Sequence, residues 1–164
     1  MKPQRIAPKP GQESVWDYPR PPIIEDVSQH VRVVFNGEVI ADTRNAKRVL
    51  ETSHPPSYYI PFEDLNTAYL TETSHKTFCE FKGRASYWNV QVRDQESVNA
   101  GWSYANPTQG FEEIKDYVTF YPSRVDACFV GDERVRAQEG DFYGGWITSN
   151  IVGPFKGGVG SRGW

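Results

Sequence analysis

Cysteine is almost missing: Cys79 and Cys128 are the whole supply in 164 residues. Two thiols cannot frame a disulfide scaffold, and no Cys-x-x-Cys pair exists for a structural zinc. No stretch approaches the roughly 18 consecutive apolar residues that a membrane-spanning helix needs. The opening "MKPQRIAPKPGQ" has no apolar segment of the secretory-signal kind. These lacks lead us to expect reduced thiols, a cytoplasmic location and no membrane partner. Runs of Lys and Arg are also missing. With a net charge of −3 and a pI near 5.6, the chain shows no basic stripe, so nucleic acid is not an expected partner. A helical period is missing too. Between residues 31 and 137 no apolar i, i+3, i+4, i+7 pattern lasts three turns.

Aromatic residues are what the chain has in quantity. Five Trp, nine Tyr and nine Phe, beside a single Met, carry much of its apolar content. Such rings bury large areas and keep polar tips, so one set of residues can build a core and line a pocket.

Six of the twelve prolines fall in residues 1–30, which are therefore read as an extended arm. Trp16 and Tyr18 would be costly to leave in water, so the arm is expected to dock through them. From Val31 the period becomes that of strands. "VRVVF-NG-EVIAD" predicts a hairpin on a type I′ turn at Asn36-Gly37. Short strands follow in "KRVLET", "SYYIP", "KTFCEFKG", "RASYWNVQVR", "DYVTFY" and "VDACFVG", with one helical turn at "PFEDL". Residues 31–137 are thus expected to form one all-β domain. Residues 138–164 are rich in glycine and aromatics and read as a tail ordered against its own domain or a partner chain.

"ETSHPPSYYIP", "TFCEFKGRASYW", "NAGWSYANP" and "YVTFYPSRVD", in that order, resemble the motifs of the domain of unknown function 427 family. The "VWDYPRPP" arm and "FYGGWITSNIVGPFKGG" tail resemble a full-length subtype of it. The resemblance implies a β-tent type fold, in which two antiparallel sheets meet at an angle and leave a groove. Relatives of that fold include methionine-sulfoxide reductases and the drug-binding domain of cereblon, and many carry a four-cysteine zinc. This chain has no cysteines for that zinc, so none is expected, no other cofactor is expected either, and aromatic packing must do its stapling. The family also carries a nucleotidyltransferase-like label.

The residues with chemistry to offer are few. Glu51, Ser53, His54 and Tyr58 crowd one segment. If residues 51–53 are extended, Glu51 and Ser53 face one way, and Tyr58 returns to the same side. Pro55 restricts His54 to extended backbone. A Glu–His pair serves equally as a general acid/base pair or as a rigid structural corner. Cys79 reads as a nucleophile if Lys82 or an imidazole favours its thiolate, or as a small buried hydrophobe. His75 and Cys79 have a spacing zinc can use but no paired motif, and no metal is expected. Gly153–Ser161 lacks the order of a phosphate-binding P-loop; it reads as an anion nest or a pinned tail. Tyr87 and Trp88 alternate onto opposite faces of a strand, whereas Trp102 and Tyr104 share one.

The expected ligand groove combines Glu51, His54, Tyr58, Lys82, Tyr87, Trp88, Trp102 and Tyr104, with Glu51, His54 and Cys79 as catalytic candidates. Three classes of function fit. The first is recognition of a planar or anionic small molecule. The second is an enzyme, nucleotide-handling or dependent on the Cys79 thiol. The third is a homodimeric assembly that exchanges arm or tail.

Overall fold

Asn36 and Gly37 hold φ of 48° and 78°, the left-handed pair that a type I′ turn demands. They join two strands of the smaller of two principal sheets. The computed structural model describes residues 3–140 and 142–164. Met1 and Lys2 of the arm and Asp141 of the tail lie outside the described residues.

The chain is all-β. Strands β1 (Glu13–Ser14), β2 (Ile23–Asp26), β3 (Val31–Phe35), β4 (Glu38–Thr43), β5 (Lys47–Leu50) and β6 (Ser57–Pro61) lead into the long pair β7 (Leu70–Cys79) and β8 (Gly83–Val92). They are followed by β9 (Gln95–Ser103), β10 (Tyr117–Phe120), β11 (Ala127–Val130), β12 (Glu133–Arg134), β13 (Arg136–Ala137), β14 (Trp146–Ile147) and β15 (Ile151–Val152). The larger sheet has seven strands in the order β2-β5-β6-β10-β9-β8-β7, and the smaller has four, β12-β11-β3-β4. Both are antiparallel throughout. The "PFEDL" turn is a single 3₁₀ turn, Phe62–Asp64. No helix of the described residues is long and apolar enough to cross a membrane.

Strand alternation sorts the side chains of the larger sheet into two cores. One face sends Tyr58, Ile60, Val90, Val118 and Phe120 against Val31, Val33 and Ile40 of the smaller sheet. The other collects Tyr59, Tyr87, Trp102, Tyr104 and Tyr121 into an aromatic layer.

A third core belongs to arm and tail. Val15, Trp16 and Tyr18 bury with Leu50 and Ile151, and Phe155 and Trp164 pack on them. β1 pairs in parallel with β15, and the Trp16 indole N–H donates to the Pro154 carbonyl at 2.9 Å. Trp16 and Tyr18 thus dock the arm, as their cost in water predicts. Strand β2, from within residues 1–30, extends the larger sheet by pairing with β5. Arg48 of β5 binds Glu13 and Glu25 of the arm at 2.7 and 2.6 Å.

The tail crosses from one core to the other at Gly144-Gly145. A Cβ on Gly144 would stand 2.5 Å from the Trp102 ring and 3.0 Å from Tyr121. One on Gly145 would meet Pro55 and Gln138 at 2.5 Å. Only glycine lets the backbone lie that close. Trp146 then enters the first core and stacks on Tyr58 at 5.0 Å. We expect Gly144→Ala to destabilise the protein by about 1–3 kcal/mol, the usual cost of overpacking. Urea denaturation followed by tryptophan fluorescence measures the loss, and limited proteolysis should cut the variant first within residues 138–164.

Candidate functional site

Between the aromatic layer and the tail lies a cavity of about 300 Å³. Its floor is the sheet face that carries Val49, Ser57, Tyr87, Trp102 and Tyr104. One wall is the β7–β8 hairpin, with Thr77 to Lys82. The other wall is tail, with Gln138, Phe142, Tyr143, Gly144 and Lys156. The Glu51–Pro55 turn closes one end.

Six of the eight residues expected at the groove line it: Glu51, His54, Lys82, Tyr87, Trp102 and Tyr104. Cys79 lines it as well. Tyr58 and Trp88 do not. Both point to the opposite face of the sheet, Tyr58 against Trp146 and Trp88 against Phe62, with the Trp88 indole N–H on the Ser103 hydroxyl at 2.9 Å. Strand parity is the reason: Tyr59 and Tyr87 face the cavity side, so their neighbours cannot. Residues 51–53 are not extended either. They form a turn in which the His54 N–H donates to the Glu51 carbonyl at 3.1 Å, and Ser53 adopts a left-handed φ of 72°. Ser53 is fully buried, away from the cavity lining, and its hydroxyl has no hydrogen-bond partner among the described residues.

Gln138 fixes the state of His54. Its side-chain oxygen accepts the Gly145 N–H at 3.0 Å, and its NH₂ donates to the Lys156 carbonyl at 2.6 Å. The amide therefore has one orientation, and the NH₂, 3.2 Å from His54 Nδ1, must donate there. The ring proton is left on Nε2, which faces Glu51 Oε2 at 3.7 Å. That separation is not an ion pair near neutral pH. Burial, and then the positive charges of Lys156, Arg20 and Lys82, push the His54 pKa down to about 3. Glu51 finds its cation in Arg20, 3.5 Å away.

The two lysines are placed differently. Lys82 Nζ lies 5.8 Å above the Tyr104 ring and Lys156 Nζ 5.7 Å from Tyr143. Among the described residues neither forms a salt bridge with an Asp or Glu side chain; Lys156 Nζ donates to the main-chain oxygen of Trp164 at 3.4 Å. Burial pushes the phenols of Tyr59, Tyr104 and Tyr121 upward, so the layer stays neutral. Tyr59 buries its hydroxyl beneath Trp102 and Tyr104, whose polar tips are its neighbours. Cys79 is a free, half-buried thiol and Cys128 a buried one, its pKa raised by burial. His75 packs on Tyr87 at 4.6 Å, and among the described residues no three His, Cys, Asp or Glu side chains form a metal-holding group. In Gly153–Ser161, the Gly157 N–H and Gly158 carbonyl both engage the Ser161 hydroxyl.

Gln138, Tyr143 and Lys156 were not among the expected site residues. For Gln138 and Tyr143 the only sequence signal was the order implied by the tail's aromatics, whereas Lys156 lies in the Gly153–Ser161 segment read as an anion nest or a pinned tail.

An aromatic sheet face met by a glycine-hinged tail defines the class: an all-β protein with a cavity between the two, lined by rings, by Glu51 and Glu80, and by Lys82 and Lys156. The family model described as Domain of unknown function (DUF427) matches residues 23–131, and the chain belongs to that family. No curated protein matches the chain. The matched segment holds the floor, the hairpin wall and the Glu51–Pro55 turn, whereas the tail wall lies beyond it.

A pH dependence follows from His54. Its folded pKa lies below the ordinary value of 6.5, so the neutral ring contributes stability that is present above pH 6.5 and is lost as pH falls toward 3. Across that window stability should fall by up to about 1.4 kcal/mol per pH unit from this group. The difference in slope between wild type and His54→Gln in urea titrations isolates it. The His54 ring resonances should show no protonation between pH 8 and 5.

Proposed function

We propose that this chain binds a small planar anion in the cavity beneath its tail. The observation that supports the reading is the pair Lys82 and Lys156, both on the cavity lining and each held near an aromatic ring. An ammonium near a ring attracts an anion into a partly dry site. Trp102 and Tyr104 offer stacking surface to a flat ligand. His54 adds a donor fixed on Nε2. About 300 Å³ is the low end for small-molecule sites and suits one or two fused rings better than a whole nucleoside triphosphate.

The family's nucleotidyltransferase-like label favours a second reading, in which the cavity handles nucleotides. One experiment separates the two. Thermal shift is measured with benzoate, naphthoate and indole carboxylates, and with nucleoside mono- and triphosphates with and without Mg²⁺. An aromatic acid at about 100 times its Kd stabilises the fold by about 2.7 kcal/mol. Lys82→Gln and Lys156→Gln should each weaken that acid by about tenfold, as loss of a charged hydrogen bond does. A shift with Mg²⁺-nucleotide and none with the acids would reverse the order of the readings. No shift with either class would refute the cavity as a small-anion site.

A further inference from the structure

The cavity lining carries both signs of charge, Glu51 and Glu80 as well as Lys82 and Lys156. A ligand that is only an anion meets the ammoniums and leaves the carboxylates facing it. Glu80 is exposed on the hairpin turn, where water serves it. Glu51 is placed differently. Its side chain is only 22% exposed, and it belongs to the turn that closes one end of the cavity.

Elsewhere the fold ties its half-buried carboxylates with short bonds. Glu13 accepts from the Tyr18 hydroxyl at 3.0 Å and from Arg48 at 2.7 Å. Glu133 accepts the Ser149 N–H at 2.7 Å and the Ser149 hydroxyl at 2.9 Å. Glu51 accepts no hydrogen bond from the described residues. Its neighbours are Arg20 Nε at 3.5 Å and His54 Nε2 at 3.7 Å, both nearest to Oε2. Those separations exceed the roughly 2.7–3.2 Å of an N–H···O bond. Arg20 turns instead to the Thr52 carbonyl, to which its Nη2 donates at 2.8 Å. The His54 ring is held where it stands by Gln138 at Nδ1, 3.2 Å away, and by the Tyr143 ring at 4.7 Å. A shielded carboxylate is stable when donors reach it, and here the protein brings none within bonding range.

We infer that the ligand is dipolar: a planar skeleton with an anionic group for Lys82 and Lys156 and an N–H cation, of the amidinium or ammonium kind, that donates to Glu51. The inference rests on the small-anion reading and deepens it. Because Arg20 and His54 both face Oε2, Oε1 is the oxygen left to the ligand. A charge-assisted bond to a carboxylate is about twice as strong as a neutral one, so a cationic donor fits better than a neutral donor. Trp102 and Tyr104 line the same cavity, so the skeleton that joins the two charges is flat. The arrangement also rejects wrong ligands. Glu51 repels a plain anion, and Lys82, Lys156 and Arg20 repel a plain cation.

Isothermal titration calorimetry of the full chain with benzoate, 3- and 4-amidinobenzoate, 3- and 4-acetylbenzoate and benzamidine tests this. Acetyl has the shape of amidinium without its donors. The better of the two amidinobenzoates should bind about tenfold or more tightly than its acetyl counterpart, as a charged hydrogen bond gives. In Glu51→Gln that compound should weaken by about the same factor, while benzoate binds no more weakly than before. Glu51→Ala should give the same divergence. Lys82→Gln should weaken both compounds. If benzoate binds and neither amidino isomer exceeds its acetyl counterpart, the dipolar inference is overturned while the small-anion reading stands. An amidino advantage that survives both Glu51 variants overturns it equally, because the cation would then be binding elsewhere. If benzamidine binds as tightly as the amidinobenzoates, the anionic group contributes nothing and both readings fall. They fall together too if no compound in the series binds.

Discussion

The structure depends on one buried backbone turn. Ser53 is fully buried at a left-handed φ of 72°. A non-glycine residue there costs on the order of 1–2 kcal/mol, so the surroundings must enforce it. They do so from two sides: the Ser53 N–H donates to the Val15 carbonyl of the arm at 3.0 Å, and its carbonyl accepts the Lys156 N–H of the tail at 2.9 Å. Buried peptide groups must be paired, so arm, turn and tail are mutually obligatory. Because the turn is held, Glu51 and His54 close one end of the cavity. Because the tail is held, Lys156 reaches it.

Aromatic packing supplies the cohesion for this arrangement. Three clusters share the work, and each draws on a different part of the chain. The first joins the two sheets. The second is both core and cavity floor. The third locks arm to tail through Trp16, Ile151 and Trp164. Trp146 ties the tail to the first cluster, its indole N–H donating to the Phe120 carbonyl at 2.9 Å. A thin tail with so much glycine would be entropically expensive to order alone. These anchors, and the close approach that Gly144 and Gly145 permit, offset that cost.

Local rules were readable in the sequence. The Asn36-Gly37 turn, the opposite faces of Tyr87 and Trp88, and the shared face of Trp102 and Tyr104 all follow from turn chemistry and strand period. The all-β class came from the same signals. What alternation alone does not give is which face looks at the cavity, and so Tyr58 and Trp88 were expected on the wrong side. Residues 51–53 were read as extended because nothing within that segment reveals the bonds to Val15 and Lys156 that bend it. Gln138, Tyr143 and Lys156 were missed for a similar reason: Gln138 meets His54 across 84 positions, and that pairing exists only once the tail has folded back.

The same pairing bears on what His54 can do. A general base is effective when its pKa lies near the working pH. At about 3, the free protein's His54 is a neutral donor, and its lone acceptor nitrogen is already occupied by Gln138. Glu51 is turned toward Arg20 as much as toward the ring. The Glu–His pair that looks catalytic in sequence therefore behaves as a rigid corner with one N–H to offer. A bound anion would neutralise the repulsion from Lys156 and Lys82, but it would also exclude more water. Burial is the larger of the causes that hold the ring neutral, so filling the cavity leaves His54 a donor. In the small-anion proposal this corner supplies one N–H donor at the end of the cavity.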